Sequence, residues 1–376
     1  VLTTKRGRFN QSVRVQLNTN VTIGAKPNLS YLPIMSSKDE IEFEVDRFKK
    51  GFYNDYDDVY PSFGYVPALP PVAELLLAAR RKGIAEPLKD AGVIAQLNAL
   101  EKHDVRDDIK NYLLQSSISQ QYALNISGGG NNYSYYASIG YDKSRGNQIG
   151  NNRDERFTLR LLNTWSPLSG LQINAEISHA QSNTTGSDFD YNILLPLTAG
   201  GIAPYTRLVD AKGAALAIPK DYRVAYVDTA QSPSLLDWHY RPLDEAMNSN
   251  LNNKSGNDRL VLGVRYNLMK ELDIEMNGQY QKTSLISKDI HDVNSYYTRD
   301  FINKYMNIDP NTGDVIYPIP LGGIYNRRDG TQTSWNLRGQ VNYKLVKAEH
   351  SVFAMAGAEF RQNETGIYGG PTQYGY

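Results

Sequence analysis

The chain has no cysteine among its 376 residues, so it forms no disulfide bond and offers no thiolate to a metal ion. It has no apolar run near the roughly 18 residues that a membrane helix needs, and its mean hydropathy is −0.50. Its 40 basic and 40 acidic residues cancel, so no net charge draws it to nucleic acid. These absences exclude a disulfide-stapled domain, a helical membrane protein and a strongly basic nucleic-acid binder.

Sequence motifs for catalysis are missing as well. The histidines are scattered without the spacing of paired metal ligands, at His103, His179, His239, His291 and His350. There is no nucleophile elbow and no phosphate-binding loop, since the GGGNN segment leads into an alternating strand pattern and not into a helix. We therefore predict that the chain is not an enzyme, has no catalytic residue and binds no cofactor.

The most informative pattern that is present is a regular alternation of apolar and polar residues. The segment RLVLGVRYNL places Leu260, Leu262 and Val264 on one face. Its Arg259 and Arg265 fall on the other face, because successive strand residues point to opposite sides of a sheet. A polar face opposite a continuous apolar band suits a wall between lipid and water, which is typical of transmembrane β-barrels.

The same alternation predicts nine strands along the chain. They are Phe9–Ile23, Gln121–Ser127, Tyr133–Lys143, Arg156–Trp165, Leu171–Gln181, Arg259–Leu268, Leu272–Lys282, Thr333–Leu345 and Ser351–Asn363. Strands of about 9–11 residues suffice to cross a bilayer at a tilt. We expect consecutive antiparallel hairpins in one curved sheet.

The connections between these strands alternate between short turns and long loops. The long loops cover about residues 24–119, 182–256 and 284–332, and the first contains two helical patterns, Val72–Ile84 and Ala91–Asp104. Short turns on one side and long loops on the other match the two sides of an outer-membrane barrel. We predict an all-β fold, a partial antiparallel up-and-down transmembrane β-barrel whose long extracellular loops contain short helices.

Two acidic clusters are candidate cation sites. In the NDYDD segment, Asp55, Asp57 and Asp58 can supply the oxygen ligands that a hard cation such as calcium prefers. The DPNTGD segment, Asp309–Asp314, has a similar composition. Both segments are also rich in turn-forming residues, and a solvated turn is the interpretation we favour for each.

Aromatic residues in the loops are candidates for contact with a substrate or with a lid protein. They are Tyr53, Tyr56, Tyr60, Tyr65 and Trp238. Such rings can stack on sugar rings or grip peptides, and they can equally pack against neighbouring loops. Packing is the interpretation we favour.

Several segments, in order, resemble the SusC/RagA-type TonB-dependent transporters of Bacteroidetes outer membranes. VLTTKRGR (Val1–Arg8) resembles the end of the plug domain in that family, and SQQYALNISGGGNNYSYYASIGYDKSRG (Ser119–Gly146) resembles its first full hairpin. NNRDERFTLRLLNTWSPLSGLQINAEIS (Asn151–Ser178) and LLDWHYRPLDEAMNS (Leu235–Ser249) are similar to later segments. Together these stretches cover most of the chain.

The resemblance implies a plugged barrel of about 22 strands. Such a barrel sits in outer-membrane lipid, imports an oligosaccharide or oligopeptide with energy transmitted by TonB, and works beneath a SusD-like lipoprotein. It implies that residues 1–8 end the plug and residues 9–376 form the first part of the barrel. Arg14, Arg259, Arg265 and Arg338 would then face the lumen and pair with plug carboxylates. Because most of a plug and its TonB box are missing, we expect the chain to be an internal fragment of a longer protein.

Two rival functions remain open on the sequence. A secreted soluble β-rich carbohydrate-active enzyme or adhesin would also show alternating apolar and polar residues in its strands. The enzyme would need two carboxylates that converge in a cleft. A passive porin is the third possibility, and the plug-like VLTTKRG segment argues against it.

Overall fold

The computed structural model describes residues 6–58, 68–150, 152–187, 189–195, 201–229, 234–347 and 349–376. The strands are β1 (Arg14–Gly24), β2 (Ser117–Gly129), β3 (Tyr133–Arg145), β4 (Arg153–Trp165), β5 (Leu171–Gly186), β6 (Ser249–Met269), β7 (Leu272–His291), β8 (Asn307–Ile308), β9 (Val315–Ile316), β10 (Ile324–Lys347), β11 (His350–Gly369) and β12 (Gln373–Tyr374).

Nine of these strands form one antiparallel up-and-down sheet. Its order is β1 to β7, then β10 and β11. Each of these strands therefore pairs with the long strand that precedes it and the long strand that follows it along the chain. Strand β12 adds a short pairing to β10, and β8 pairs with β9 in a separate two-stranded ribbon. The predicted nine strands and their consecutive hairpins are confirmed. In the described part of the chain, β1 and β11 are the two edges of this sheet.

The strand ends differ from the prediction in a systematic way. Strands β6, β7, β10 and β11 have 20 to 24 residues, about twice the predicted length. Beyond the apolar band most residues on both faces are polar, so regular alternation stops. The backbone ladder nevertheless continues, as in the pairing of Asn252 with Lys288. The long connections are correspondingly shorter, spanning residues 25–116, 187–248 and 292–323.

The first strand begins later than predicted, at Arg14 and not at Phe9. Asn10 has a left-handed backbone with φ of 53°, which is incompatible with a strand. Its N–H donates to the Gly130 carbonyl at 2.9 Å, and the Gly129 N–H donates to the Gln11 carbonyl at 2.9 Å. Residues 10–11 are thus fixed against the end of β2. The division of the chain at residue 8 stays a prediction.

Short helices lie in the three long connections, which together we call the cap (residues 25–116, 187–248 and 292–323). They are α1 (Ser37–Lys49), α2 (Asp55–Asp58), α3 (Pro71–Arg81), α4 (Ala91–Leu100), α5 (Val105–Asp108), α6 (Val224–Thr229), α7 (Pro242–Asn248) and α8 (Tyr296–Tyr305). Helices α3 and α4 confirm the two predicted helical patterns. Side-chain caps fix several starts, since Asp90 accepts from the Val93 N–H at 2.9 Å and Ser295 from the Thr298 N–H at 3.2 Å.

The hydrophobic core lies in the cap and not in the sheet. One cluster gathers Leu29, Leu113, Leu208 and Tyr296 from all three connections. A second cluster packs α1 against α3 and α4 around Tyr205. Among the described residues, the largest fully buried side chains all belong to the cap except Ile324 at the start of β10. None of the helices in the described residues is long and apolar enough to cross a membrane.

Candidate functional site

The sheet has one chemically apolar face, which we call the apolar face. The ladder pairs one residue from each of eight strands into a row across it: Val15, Ile126, Ala137, Leu161, Ile177, Leu260, Tyr280 and Trp335. These side chains are not covered by other elements, and Leu260 and Trp335 remain 50% and 54% exposed. A continuous exposed apolar surface of this extent marks an interaction with another apolar phase or partner.

The opposite face, which we call the polar face, carries a matching polar row. Shifted by one residue along each strand, the ladder pairs Gln16, Asn125, Ser138, Arg160, Ser178, Arg259, Gln281, Ser334 and Asn363. Since successive residues point to opposite sides, the two rows lie back to back through the sheet. The separation of apolar and polar residues predicted from one strand pair therefore extends from β1 to β10. In β11 it is incomplete, because Gln362 continues the apolar row and Phe353 and Met355 lie on the polar face.

Charged groups on the polar face are paired with one another. Glu176 accepts two hydrogen bonds from Arg160, at 3.0 and 3.1 Å, and a third from Arg259 at 2.6 Å. The Nε of Arg259 is buried without a hydrogen-bond partner among the described residues. Two guanidinium groups around one carboxylate leave a local excess of positive charge, which requires water or a polar partner on this face.

A groove of about 550 Å³ runs along the polar face near β11. Amide and hydroxyl side chains line most of it, from Gln279, Gln281, Thr283, Gln332, Ser334, Asn336 and Asn363. Its charged residues are Arg338, Glu359 and Arg361, and Glu359 accepts from Asn336 at 2.6 Å and from Arg361 at 2.7 Å. This lining offers hydrogen bonds to a polar chain and has no paired carboxylates poised for glycoside hydrolysis.

The predicted aromatic residues fall into two groups. Tyr53 is only 2% exposed and contacts Tyr56, with ring centroids 6.1 Å apart. Trp238 belongs to a second cluster with Tyr222 and Tyr226, at centroid distances of 5.0 and 6.4 Å. Its indole N–H donates to Asp300 at 2.9 Å. In this geometry these rings pack within the cap, and contact with a substrate or lid stays a prediction.

Tyr60 and Tyr65 lie outside the residues that the structure describes. Asp55 starts the short helix α2, which also includes Asp57 and Asp58, but the side chains of those two residues lie outside the description. Among the described residues, no three histidine or carboxylate side chains are gathered as metal ligands. Calcium binding at this cluster therefore stays a prediction.

The second acidic segment forms the turn between β8 and β9. Asp309 accepts from the N–H groups of Asn311 at 2.8 Å and Thr312 at 3.3 Å. Gly313 has φ of 76°, which glycine adopts at little cost. One carboxylate of the segment is thus used to close a turn.

One buried ion pair in the cap was not visible in the sequence. Arg223 donates two hydrogen bonds to Glu74 of α3, at 2.8 and 2.9 Å, and Arg81 donates a third to Glu74 at 2.9 Å. Burial alone would raise the pKa of Glu74, but these hydrogen bonds hold it below the usual range. Arg223 and Glu74 are 149 residues apart in the sequence, so no local sequence pattern predicts their contact.

No family model matches the chain, and no curated protein matches it. Solved structures do match its fold. The structure of the RagAB peptide transporter superposes on 99% of this chain with a TM-score of 0.65 and 18% sequence identity. The chain has the fold of a RagA/SusC-type fragment. The RagAB peptide importer in its closed-closed and open-open states also matches 99% of the chain, with a TM-score of 0.62 and 17% identity in each state.

The chain spans 37% of the length of each of these solved chains. The solved structures that share its fold are transporters and not enzymes. That the chain itself is not an enzyme stays a prediction. At 17–18% sequence identity the likeness establishes the fold alone. The substrate and the partners of this chain are therefore proposed below.

Proposed function

We propose that the chain is part of the wall and the extracellular cap of a TonB-dependent importer in the bacterial outer membrane. The observation that carries this proposal is the pair of back-to-back rows, an apolar row across eight strands on one face and a polar row across nine strands on the other. A sheet with one exposed apolar face and one hydrogen-bonding face suits a position between lipid and a polar lumen. The fold of the RagAB peptide transporter supports the same assignment.

In this proposal the apolar face contacts outer-membrane lipid. Leu260, Leu262 and Val264 face the hydrocarbon, whereas Arg259 and Arg265 face the lumen. The local excess of positive charge around Glu176 then attracts carboxylates of a plug domain. Nine strands are too few for a plugged lumen, which takes about 22 strands. The edges β1 and β11 are completed by further strands of a longer chain, since unpaired backbone groups are costly in lipid.

The transported nutrient is an oligopeptide in this proposal. This choice is supported by the solved structures that share the fold, because RagAB is a peptide transporter. An oligosaccharide was the alternative on sequence grounds, and it becomes an outcome of the test. We further propose that a SusD-like surface lipoprotein covers the cap and that TonB acts through the plug.

Membrane fractionation and uptake by cells test the proposal. The full-length protein containing this chain is expected in the outer-membrane fraction, and its folded form should migrate differently from its heat-denatured form on a gel. Cells that carry it should accumulate a fluorescent oligopeptide, and should lose that uptake when TonB is deleted. The matched control is a labelled oligosaccharide of similar mass. A soluble monomer that needs no detergent would refute the membrane assignment, and uptake of only the oligosaccharide would refute the peptide.

A further inference from the structure

The cap contains a cavity of about 800 Å³ that the proposed function does not use. Its walls come from α1 and the start of α3 in the first connection and from several parts of the second connection. Much of the lining is apolar, including Leu69, Pro71, Ile193 and Ile202. A largely apolar cavity of this size with a few polar groups has the usual form of a small-ligand site.

The charged groups in the cavity are predominantly acidic. Glu40 and Glu44 lie one turn apart on α1, and Asp221 comes from the second connection. Lys220 is the one cation among the described lining residues. Glu44 is 2% exposed, and its Oε2 accepts a hydrogen bond from the Tyr205 hydroxyl at 2.5 Å. Three carboxyl groups against one ammonium favour a positively charged ligand.

A second observation points to the same kind of ligand. Tyr240 lines the cavity and is 5% exposed, and its hydroxyl is buried with no hydrogen-bond partner among the described residues. An unpaired buried hydroxyl is unfavourable, so a ligand that bonds to it gains affinity. The ammonium of Lys220 lies 4.3 Å from the Tyr240 ring centroid and 4.8 Å from that of Tyr296. This wall therefore already accommodates an amine against aromatic faces.

We propose that this cavity binds a lysine or arginine side chain of an oligopeptide. This inference rests on the proposed function and specifies which peptides the importer prefers. The cationic head lies among Glu40, Glu44 and Asp221 and donates to the Tyr240 hydroxyl. The aliphatic stem lies against the apolar wall, as basic side chains commonly do.

The ionisation of Glu44 gives the site a pH dependence. Burial raises the pKa of Glu44 to about 7, against the opposing effect of the hydrogen bond from Tyr205. The other charged or titratable groups that act on Glu44 are Glu40 and Arg47 of α1, and it in turn acts on Tyr53. The carboxyl gains its negative charge as the pH rises through about 7, so a cationic side chain binds more tightly at pH 8 than at pH 6.

Calorimetric titration of the full-length protein in detergent tests the inference. The probes are two pentapeptides whose termini are capped and therefore uncharged. They differ only at the central residue, which is lysine in one and norleucine in the other. The lysine peptide is expected to bind at least about tenfold more tightly. The double variant Glu40→Gln and Glu44→Gln should abolish that preference and its pH dependence. The matched control is Glu42→Gln, because Glu42 lies on the exposed side of the same helix.

Tyr240→Phe provides a second variant that leaves the carboxylates in place. It should weaken the lysine peptide severalfold, and thermal unfolding of each variant reports whether the cap remains folded. Equal binding of both peptides, or an unchanged preference in the folded double variant, would overturn the inference. Uptake by cells separates this failure from failure of the importer proposal. Equal binding of the two peptides by the natural protein, with peptide uptake intact, rejects only the cavity, whereas absence of any uptake rejects the proposed function.

Discussion

At the residue scale, neighbouring positions on one strand face different surroundings. Leu262 of β6 pairs with Ala175 and Gly278 on the apolar face, whereas Val261 pairs with Glu176 and Gln279 on the polar face. The two side chains are both aliphatic and sit at almost the same depth. Their chemical similarity makes them a matched pair for testing which face meets lipid.

We expect Leu262→Arg to cost about 2–4 kcal/mol of folding free energy in a membrane, and Val261→Arg to cost less than about 1 kcal/mol. The arginine at position 262 faces hydrocarbon, whereas the arginine at position 261 lies on the polar face, where water can solvate its charge. Urea titration of the full-length protein refolded into lipid vesicles measures both values. Equal costs at the two positions would contradict the assignment of the faces.

A second prediction at this scale concerns the stability of the cap as a function of pH. Because the pKa of Glu44 is about 7 in the folded cap and 4.5 ordinarily, the folded state holds its proton more strongly than the unfolded state. Stability is therefore lost as the pH rises from about 4.5 to 7, by an amount on the order of 3 kcal/mol. It stays at the lower level above pH 7.

Hydrogen exchange of α1, corrected for the intrinsic effect of pH, measures this loss. Protection should be greater at pH 5 than at pH 8 in the natural protein, whereas Glu44→Gln should remove most of the difference. Glu42→Gln, on the exposed side of the helix, should leave it intact. Equal protection at pH 5 and pH 8 would show that the pKa of Glu44 is not raised in the folded cap.

At the element scale, the turn between β4 and β5 depends on one glycine. Gly170 has φ of 82°, and a Cβ placed on it would lie 2.8 Å from the carbonyl oxygen of Asn267. The Asn267 N–H donates to the Gly170 carbonyl at 2.8 Å, so this turn also joins β6. A side chain at position 170 would strain the backbone and push the two strands apart.

Gly170→Ala should destabilise the protein by about 1–3 kcal/mol, because a residue with a Cβ is strained in the left-handed region. Gly366→Ala is the control, since Gly366 of β11 has no atom near its would-be Cβ and no positive φ. Urea midpoints of both variants in lipid vesicles give the comparison. A midpoint for Gly170→Ala that matches the control would mean that the turn relaxes without cost.

Elements were predictable from the sequence where a single pattern decides the local structure. The alternation around Leu260 and Arg259 predicts β6, and the helical periods predict α3 and α4. The sequence does not predict the first half of β6, because Asn252 and Asn253 belong to a polar run without alternation. Backbone pairing with β5 and β7 holds these residues in a strand. Contacts such as Tyr205 with Glu44, 161 residues apart, follow from the assembled cap and have no local signature.

At the scale of the whole molecule, the sheet has two unpaired edges and an apolar face that no other element covers within the described residues. Expressed by itself, the 376-residue polypeptide should aggregate or require detergent and should transport nothing, because edge strands template aggregation. Size-exclusion chromatography with and without detergent measures this. A cooperatively folded monomer in plain buffer would favour the soluble β-rich enzyme or adhesin.

The cap core draws on all three long connections, with Leu29, Leu208 and Tyr296 in one cluster. Each connection is anchored at both ends by strands of the sheet, so its position follows from the pairing of those strands. A slip of one residue in a hairpin would exchange the two faces of a strand and shift the connection above it. The cap can close around its core only over a correctly paired sheet. Burial of apolar surface in the cap core therefore stabilises the native register of β1 to β10. A sheet with a slipped strand could not bury the same surface.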